Sequence, residues 1–174
     1  GLLFARFPRP PASILFSRSA ITAPYRDGRS LQFRIANRRR SEIIQLEAQV
    51  LYTAFEIDAR GNRVRRYRLL PLERNTVTFF PLSWTIVHPV DDASPLAGKS
   101  QADLTQEEAE ILVLLTGVDE TSEQTVHART SYLADEIVWN ARFRSVFLTP
   151  GVASRTVTVD VGRIHEIERL GPEP

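Results

Sequence analysis

Arg38-Arg39-Arg40 and the group Arg60, Arg63, Arg65, Arg66 and Arg68 are the densest concentrations of a single chemistry in this chain. A guanidinium donates through a planar fork that grips phosphate oxygens two at a time. The first run follows an apolar segment ending at Asn37 and is therefore a candidate phosphate-binding patch. It is equally a candidate solvated turn, the commoner fate of a charge run. The second group brackets the turn signal Arg60-Gly61-Asn62, and a hairpin tip solvates charge easily. Tyr67 is the one aromatic among these arginines, so they lack the alternating stacking platform that single-stranded nucleic acid would use.

Thr116-Gly117-Val118-Asp119-Glu120-Thr121-Ser122-Glu123 ends the most apolar stretch of the chain and opens an acidic loop. A hairpin connection accounts for it. With a turn centred near Gln124, Glu120 and Arg129 are equidistant from the centre and would face each other as a cross-strand ion pair.

Catalytic chemistry has little to stand on, and the chain reads as no enzyme. It holds no Gly-x-Ser-x-Gly elbow, no phosphate-cradling or dinucleotide glycine pattern and no His-Glu-x-x-His. Asp91-Asp92 and Glu107-Glu108 are adjacent pairs, and neighbouring side chains on a strand or helix diverge. Without Cys there is no thiolate nucleophile or disulfide. His88, His127 and His165 lie far apart and match no ligand spacing, so neither a metal nor a cofactor is expected.

The elements that must position these groups follow a period of two. Leu31-Gln32-Phe33-Arg34-Ile35 alternates as a half-buried strand, and Leu46, Ala48, Val50, Tyr52 and Ala54 extend the rhythm through a long second one. Val157, Val159 and Val161 repeat it near the end. Asp27-Gly28, Arg60-Gly61-Asn62 and Pro150-Gly151 supply turns. One short helix is expected over Gln106–Ala109, with Thr105 as N-cap and Glu108 completing a capping box. Many short strands and hardly any helix predict an all-β fold, an immunoglobulin-like antiparallel β-sandwich with one short helix, in which Trp84 and Trp139 are at least partly buried.

Residues 1–12 differ from the rest. Leu2, Leu3, Phe4 and Phe7 are apolar, Arg6 and Arg9 interrupt them, and Pro8, Pro10 and Pro11 forbid a continuing helix. They read as the end of an apolar segment and an extended linker, or else as a disordered leader. Residues 13–170 form the single folded domain and 171–174 a frayed tail. The longest apolar stretch, Ile111 to Leu115, falls far short of the ~20 residues of a membrane helix. Charge is divided unevenly: residues 1–75 hold 15 Arg against 6 acids, and residues 76–174 hold 7 basic groups against 15 acids. Such a split predicts an anionic partner for the first half or complementary surfaces that meet on folding or assembly.

Several stretches, in order, resemble one family. Gly1-Leu2-Leu3-Phe4-Ala5-Arg6-Phe7 with Arg9-Pro10 is similar to the last turn of the inner pore helix, and the following linker, of prokaryotic inward-rectifier potassium channels. Ile14-Leu15-Phe16-Ser17, Arg26-Asp27-Gly28 and Ile35-Ala36-Asn37 with Arg39 and Ser41 resemble the start of their cytoplasmic domain. The most specific stretch is Ser83-Trp84-Thr85-Ile86-Val87-His88-Pro89-Val90-Asp91-Asp92-Ala93-Ser94-Pro95-Leu96. Ala128-Arg129, Ser131-Tyr132, Glu136-Ile137 and Trp139 follow, so the likeness runs from Gly1 to about Glu168.

The resemblance implies a homotetramer around a potassium-filled pore, joined to a transmembrane pore domain of the same polypeptide and lying at the cytoplasmic face of the bacterial inner membrane. The domain would serve assembly and gating under regulation by anionic lipid headgroups, with Arg6, Arg9 and Arg39 contributing to lipid binding. Gly117 to Glu123 (Gly117, Val118, Asp119, Glu120, Thr121, Ser122, Glu123) would form the constriction called the G-loop, with Gly117 supplying flexibility and the Glu120–Arg129 pair holding its base. Acids that strengthen rectification in relatives correspond to Gln45, Thr76 and Thr116, all neutral here, which predicts weak polyamine block. No Thr-Val-Gly-Tyr-Gly filter occurs. The competing reading is a free-standing β-sandwich that binds an anionic partner through its Arg-rich N-terminal half.

Overall fold

Alternation builds the longest strand. Leu46, Ala48, Val50, Tyr52 and Ala54 are all buried, while Gln45, Glu47 and Gln49 between them are exposed. The computed structural model describes residues 14–80, 82–148 and 159–172. Its strands are β1 (Ile14–Phe16), β2 (Ala20–Tyr25), β3 (Gly28–Asn37), β4 (Ile43–Ile57), β5 (Arg63–Leu69), β6 (Thr76–Phe80), β7 (Ser83–Val90), β8 (Glu110–Asp119), β9 (Thr125–Leu133), β10 (Ile137–Val138), β11 (Ala141–Phe143) and β12 (Ile167–Arg169). Helix α1 spans Gln101–Gln106, and short 3-10 turns span Ala134–Glu136 and Val161–His165.

Two five-stranded sheets face each other. In one, β3 is flanked by β1 and β2 on one side and by β7 on the other, and β10 extends β2; in the other, β4 is flanked by β5 and β6 on one side and by β8 then β9 on the other. All of these pairings are antiparallel except β2 with β10. The layers meet in one core to which Leu31, Phe33, Ile35 and Ile86 come from the first sheet and Leu46, Val50, Ile111, Val113, Leu115 and Tyr132 from the second. The Phe33 and Tyr132 rings, 5.6 Å apart between centroids, span the gap. Each such side chain, fully buried, stabilises the fold by about 2 kcal/mol. Trp84 and Trp139 are half-buried against this core, as expected. The architecture is the all-β sandwich that the alternation predicts.

Turns close where their chemistry allows. Tyr25 pairs with Gly28 across a two-residue link, and Gly61, at φ +81°, closes the β4–β5 hairpin with Asp58 accepting from the amides of Arg60 and Asn62. The turn at Pro150-Gly151 lies outside the described residues, as do residues 1–13 with Arg6 and Arg9.

Two expectations change. The helix lies five residues earlier than Gln106–Ala109, because Ser100 caps it and Asp103 closes the box. An aspartate three residues on does the same work as the glutamate expected there, and Leu104 anchors the helix in the core. At the described end of the last predicted strand, Val159 bridges Phe147 and Val161 already begins a 3-10 turn, because Asp160 caps Gly162. Val157 lies outside the described residues. Asn140 Nδ2 donates to the Gly171 carbonyl at 2.6 Å.

β3 is also more buried than a half-exposed strand. Arg34 is 4% exposed, because the C-terminal segment covers that face. Its guanidinium donates to the carbonyls of Arg144, Ile164 and Arg163 at 2.5, 3.2 and 2.8 Å and lies over the Phe143 ring. Burial lowers its pKa to about 10, still far above neutral pH.

Candidate functional site

The described candidate residues, Arg39, Gln45, Thr76, residues 117–123 and Arg129 among them, lie at one end of the second sheet and on its outer face. β8 continues as strand to Asp119, three residues past Thr116, and the turn itself is Glu120-Thr121-Ser122. Val118 pairs with Thr125 and Leu114 with Arg129. The hairpin therefore closes nearer to its acidic end than a turn centred on Gln124 requires, and the register sets Arg129 opposite Leu114 instead of Glu120. The cross-strand geometry expected for Glu120 and Arg129 is not the one adopted.

Asp119 organises this end. Its side chain is 3% exposed. One carboxylate oxygen accepts from the amides of Thr121 and Ser122 at 3.0 and 2.9 Å; the other accepts from Ser41 Oγ at 2.5 Å and from Arg39 Nη1 at 2.6 Å. The Ser41 hydroxyl, then the Ser122 amide and the Arg39 guanidinium, hold its pKa well below the usual carboxylate range. Arg39 is positioned in turn by Asn37, whose Oδ1 accepts the Arg39 amide and whose Nδ2 donates to the Ser41 carbonyl. The loop between β3 and β4 is thus clipped to the β8–β9 hairpin. Glu120 adds a main-chain link to the carbonyl of Glu42 at 3.0 Å.

Gly117 meets a steric constraint beside the flexibility expected of it. It is buried within β8 opposite Val126. A Cβ there would stand 2.8 Å from Ile43 Cγ2, 3.1 Å from Leu46 Cδ1 and 3.3 Å from the Ile44 carbonyl. The close approach arises from a bulge in β4, where the register shifts between Ile44 and Glu47 and Gln45 takes φ +50°. The extra residue lets Ile43 and Leu46, three apart, both point into the core. Glycine is required here because the backbone closes on its neighbours.

The outer face carries the positions marked in the sequence. Glu47 pairs with Thr76 on β6 and with Thr116 on β8, and Thr116 pairs with His127 on β9. Across four strands this makes a polar row, Thr76, Glu47, Thr116, His127, with Thr116 Oγ1 3.5 Å from His127 Nδ1. Gln45 is exposed beside it on the bulge. Toward the hairpin lies an apolar row, Phe79, Ile44 and Val118, in which Phe79 is 62% exposed. Glu47, the acid between Thr76 and Thr116, is not among the positions marked in the sequence. Its signal was the polar phase of the β4 alternation, which also places Glu47 on the exposed face.

Several of these arginines are engaged by the chain's own groups, mostly at the surface. Arg63 pairs with Glu108 at 3.3 Å and Arg68 with Glu56 at 2.8 Å, Arg65 donates to Thr53 and to the Glu108 carbonyl, and Arg63 and Arg65 flank the Phe55 ring at 3.8 and 4.3 Å. With Arg39 on Asp119, part of the charge division between the halves of the sequence is resolved on folding. Among the described residues no group of three metal-ligating side chains converges, and no helix is long and apolar enough to cross a membrane.

Comparison with known proteins places this fold. Residues 14–171 match the inward rectifier potassium channel C-terminal domain. The chain belongs to the inward-rectifier potassium channel family and carries its C-terminal domain. It is 39% identical over 167 residues to inward rectifier potassium channel Kirbac3.1 of Paramagnetospirillum magnetotacticum, covering 96% of this chain and 56% of that protein. It is 34% identical over 182 residues to ATP-sensitive inward rectifier potassium channel 12 of Mus musculus, covering 100% of this chain and 42% of that one. With inward rectifier potassium channel 4 of Rattus norvegicus the figures are 30% over 188 residues, 100% and 40%. The chain thus spans about half the length of the curated relatives it matches.

Proposed function

We propose that four copies of this domain surround the cytoplasmic pore of an inward-rectifier potassium channel, where they serve assembly and gating beneath a transmembrane part of the same polypeptide at the inner face of a bacterial membrane. The observation that carries the reading is the exposed row Thr76, Glu47, Thr116, His127 beside the apolar Phe79, Ile44 and Val118. Turned toward a four-fold axis, that face gives a carboxylate ring beneath an apolar constriction. Closed symmetry multiplies one acid into four charges, and low-dielectric walls focus their field on passing cations. The expectation of weak polyamine block rests on three neutral positions; Glu47 supplies an acid between two of them, so moderate block replaces it.

The gate in this reading is the β8–β9 hairpin, and its support is the Arg39–Asp119 clip together with Ser41. Anionic lipid remains part of the proposal, with Arg6, Arg9 and Arg39 as its ligands. Basic side chains near a charged membrane each contribute about 1 kcal/mol. Arg39 shares its fork with Asp119, so its share is smaller than that of Arg9. Co-sedimentation with anionic and neutral vesicles checks this ranking, and equal binding to both removes lipid from the proposal.

Light scattering after size exclusion and spermine block of the reconstituted parent channel test the reading together. A tetramer and a weaker block in Glu47→Gln support it. A strict monomer, with block indifferent to Glu47, favours the free-standing domain that binds an anionic partner.

A further inference from the structure

His165 ends the 3-10 turn Val161–His165 and receives, on Nδ1, the backbone N–H of Arg18 at 2.9 Å. A backbone amide can only donate, so Nδ1 bears its lone pair and the proton of the neutral ring sits on Nε2. This bond joins residues 147 apart in sequence. It sits beside two other attachments of the same turn: fully buried Ile164, packed with Ala36 and Val146, and the Arg34 guanidinium, which holds the carbonyls of Arg163 and Ile164.

We propose that His165 is an acid-released latch, in which the neutral imidazole holds the Val161–His165 turn to the β1–β2 connection and protonation of Nδ1 lets it go. A proton on Nδ1 would set one N–H against another and abolish the bond. The surroundings add to this. Arg18 faces the ring from the β1–β2 connection, Arg34 from β3, and Arg38 lines the same cleft with Leu15, Asn37, Val161 and Gly162. Arg144 contributes its carbonyl to Arg34 from the segment after β11. On the latch's own segment, Arg163 pairs with Glu166 at 3.3 Å, and Asp160 accepts from the Gly162 amide. The imidazolium would thus form among cations whose nearest carboxylates are already engaged. Burial, then Arg18 and Arg34, lower the pKa of His165. The latch is therefore fully closed above pH ~6.5, the unfolded value, and opens as pH falls through the lower folded value.

The released turn lies beside Leu15 and Asn37-Arg38, one residue from the arginine that clips Asp119. Acid would loosen the support of the β3–β4 loop without touching the clip itself. The inference does not rest on the channel reading, since it concerns contacts within one chain.

Amide exchange followed by NMR on the 174-residue chain tests it. Protection of the Arg18 amide would be followed from about pH 7.5 down to about pH 4, corrected for intrinsic exchange and referred to core amides of β8 such as Val113. In the wild type, Arg18 protection relative to the core should be level above pH ~6.5 and should fall once pH passes below the folded pKa, by about tenfold for each further unit. His165→Asn keeps an acceptor in place of Nδ1 but does not titrate, and its Arg18 protection should stay level. His165→Ala should leave Arg18 weakly protected throughout. Level protection in the wild type overturns the latch, as does a fall that His165→Asn retains. A fall matched by the β8 amides would reflect global loosening and overturn it equally.

Discussion

Arg39 and Asp119 stand 80 residues apart in sequence and 2.6 Å apart in the structure, the guanidinium half-exposed and the carboxylate buried. Ser41 and two turn amides complete the set around Asp119, so one carboxylate fixes both the β3–β4 loop and the β8–β9 turn. Asp119→Asn and Arg39→Gln should each raise amide exchange of Thr121 and Ser122 several-fold, and the double variant should add little to Asp119→Asn, because partners in one network do not act independently. The pH dependence follows from the lowered pKa of Asp119. In the unfolded chain the carboxylate takes up its proton near pH ~3.9. The stabilisation is therefore whole above that value and is lost only as pH falls further, through the folded pKa. Hairpin exchange that responds to acid below pH ~3.9 equally in the wild type and in Asp119→Asn would contradict the assignment.

Gly117→Ala tests whether close approach or mobility is what the glycine supplies. The added methyl meets the β-branched Ile43 Cγ2 at 2.8 Å and a backbone carbonyl at 3.3 Å, neither of which can swing aside. Overpacking of this kind costs about 1–3 kcal/mol. Urea unfolding should show a loss of that size, and Ile43→Ala combined with Gly117→Ala should lose less than the sum of the two changes. A neutral Gly117→Ala would mean that the bulge relaxes freely and that the glycine is there for another reason.

How much of this was legible in the sequence depends on the range of the interaction. The alternation of Leu46 to Ala54, the turn at Gly61 and the stretch from Ser83 to Leu96 are local or nearly so, and the structure follows them. Ile43 and Leu46, two core residues three apart, break the period and so mark the bulge, but only beside a strand that reveals what opposes them. Ser100-x-x-Asp103 and Thr105-x-x-Glu108 have the same form as helix starts, and the structure uses the first, with Leu104 of that helix buried. The Asp119 clip, the Arg34 fork and the His165 contact join segments 80 to 147 residues apart. No periodicity encodes such pairs. Glu47 was within reach, since the exposed phase of β4 was known and only its pairing with Thr76 and Thr116 was not.

His88 gives a second, independent pH dependence. It is buried, with Nδ1 2.6 Å from the Pro71 carbonyl and Nε2 2.8 Å from Ser94 Oγ. A carbonyl only accepts, so Nδ1 carries the proton and Nε2 accepts from the serine. Burial lowers its pKa, outweighing the Pro71 carbonyl and Asp91, which act the other way. The unfolded chain then binds the proton more readily than the folded one. Stability is complete above pH ~6.5 and declines as pH falls toward the folded pKa. The urea midpoint should drop between about pH 7 and about pH 5 and should still drop in His165→Asn, which leaves His88 in place. A midpoint independent of pH in His165→Asn would show that His88 accommodates its proton without cost.

The last prediction separates the geometry of the outer face from its charge. Gln45 lies on the bulge, and Glu47, two residues on, lies between Thr76 and Thr116. If that face lines a four-fold lumen, Glu47→Gln removes four charges and Gln45→Glu adds four. In the reconstituted channel, spermine block should weaken in the first variant and strengthen in the second. The double variant keeps the count and moves the ring by two residues, so its block should return close to wild type with an altered voltage dependence. Block that follows Gln45→Glu but ignores Glu47→Gln would turn Glu47 away from the lumen, toward a neighbouring subunit. Block indifferent to both changes would mean that another face lines the pore, because spermine crossing so narrow a lumen could not ignore eight carboxylates of difference between the two single variants.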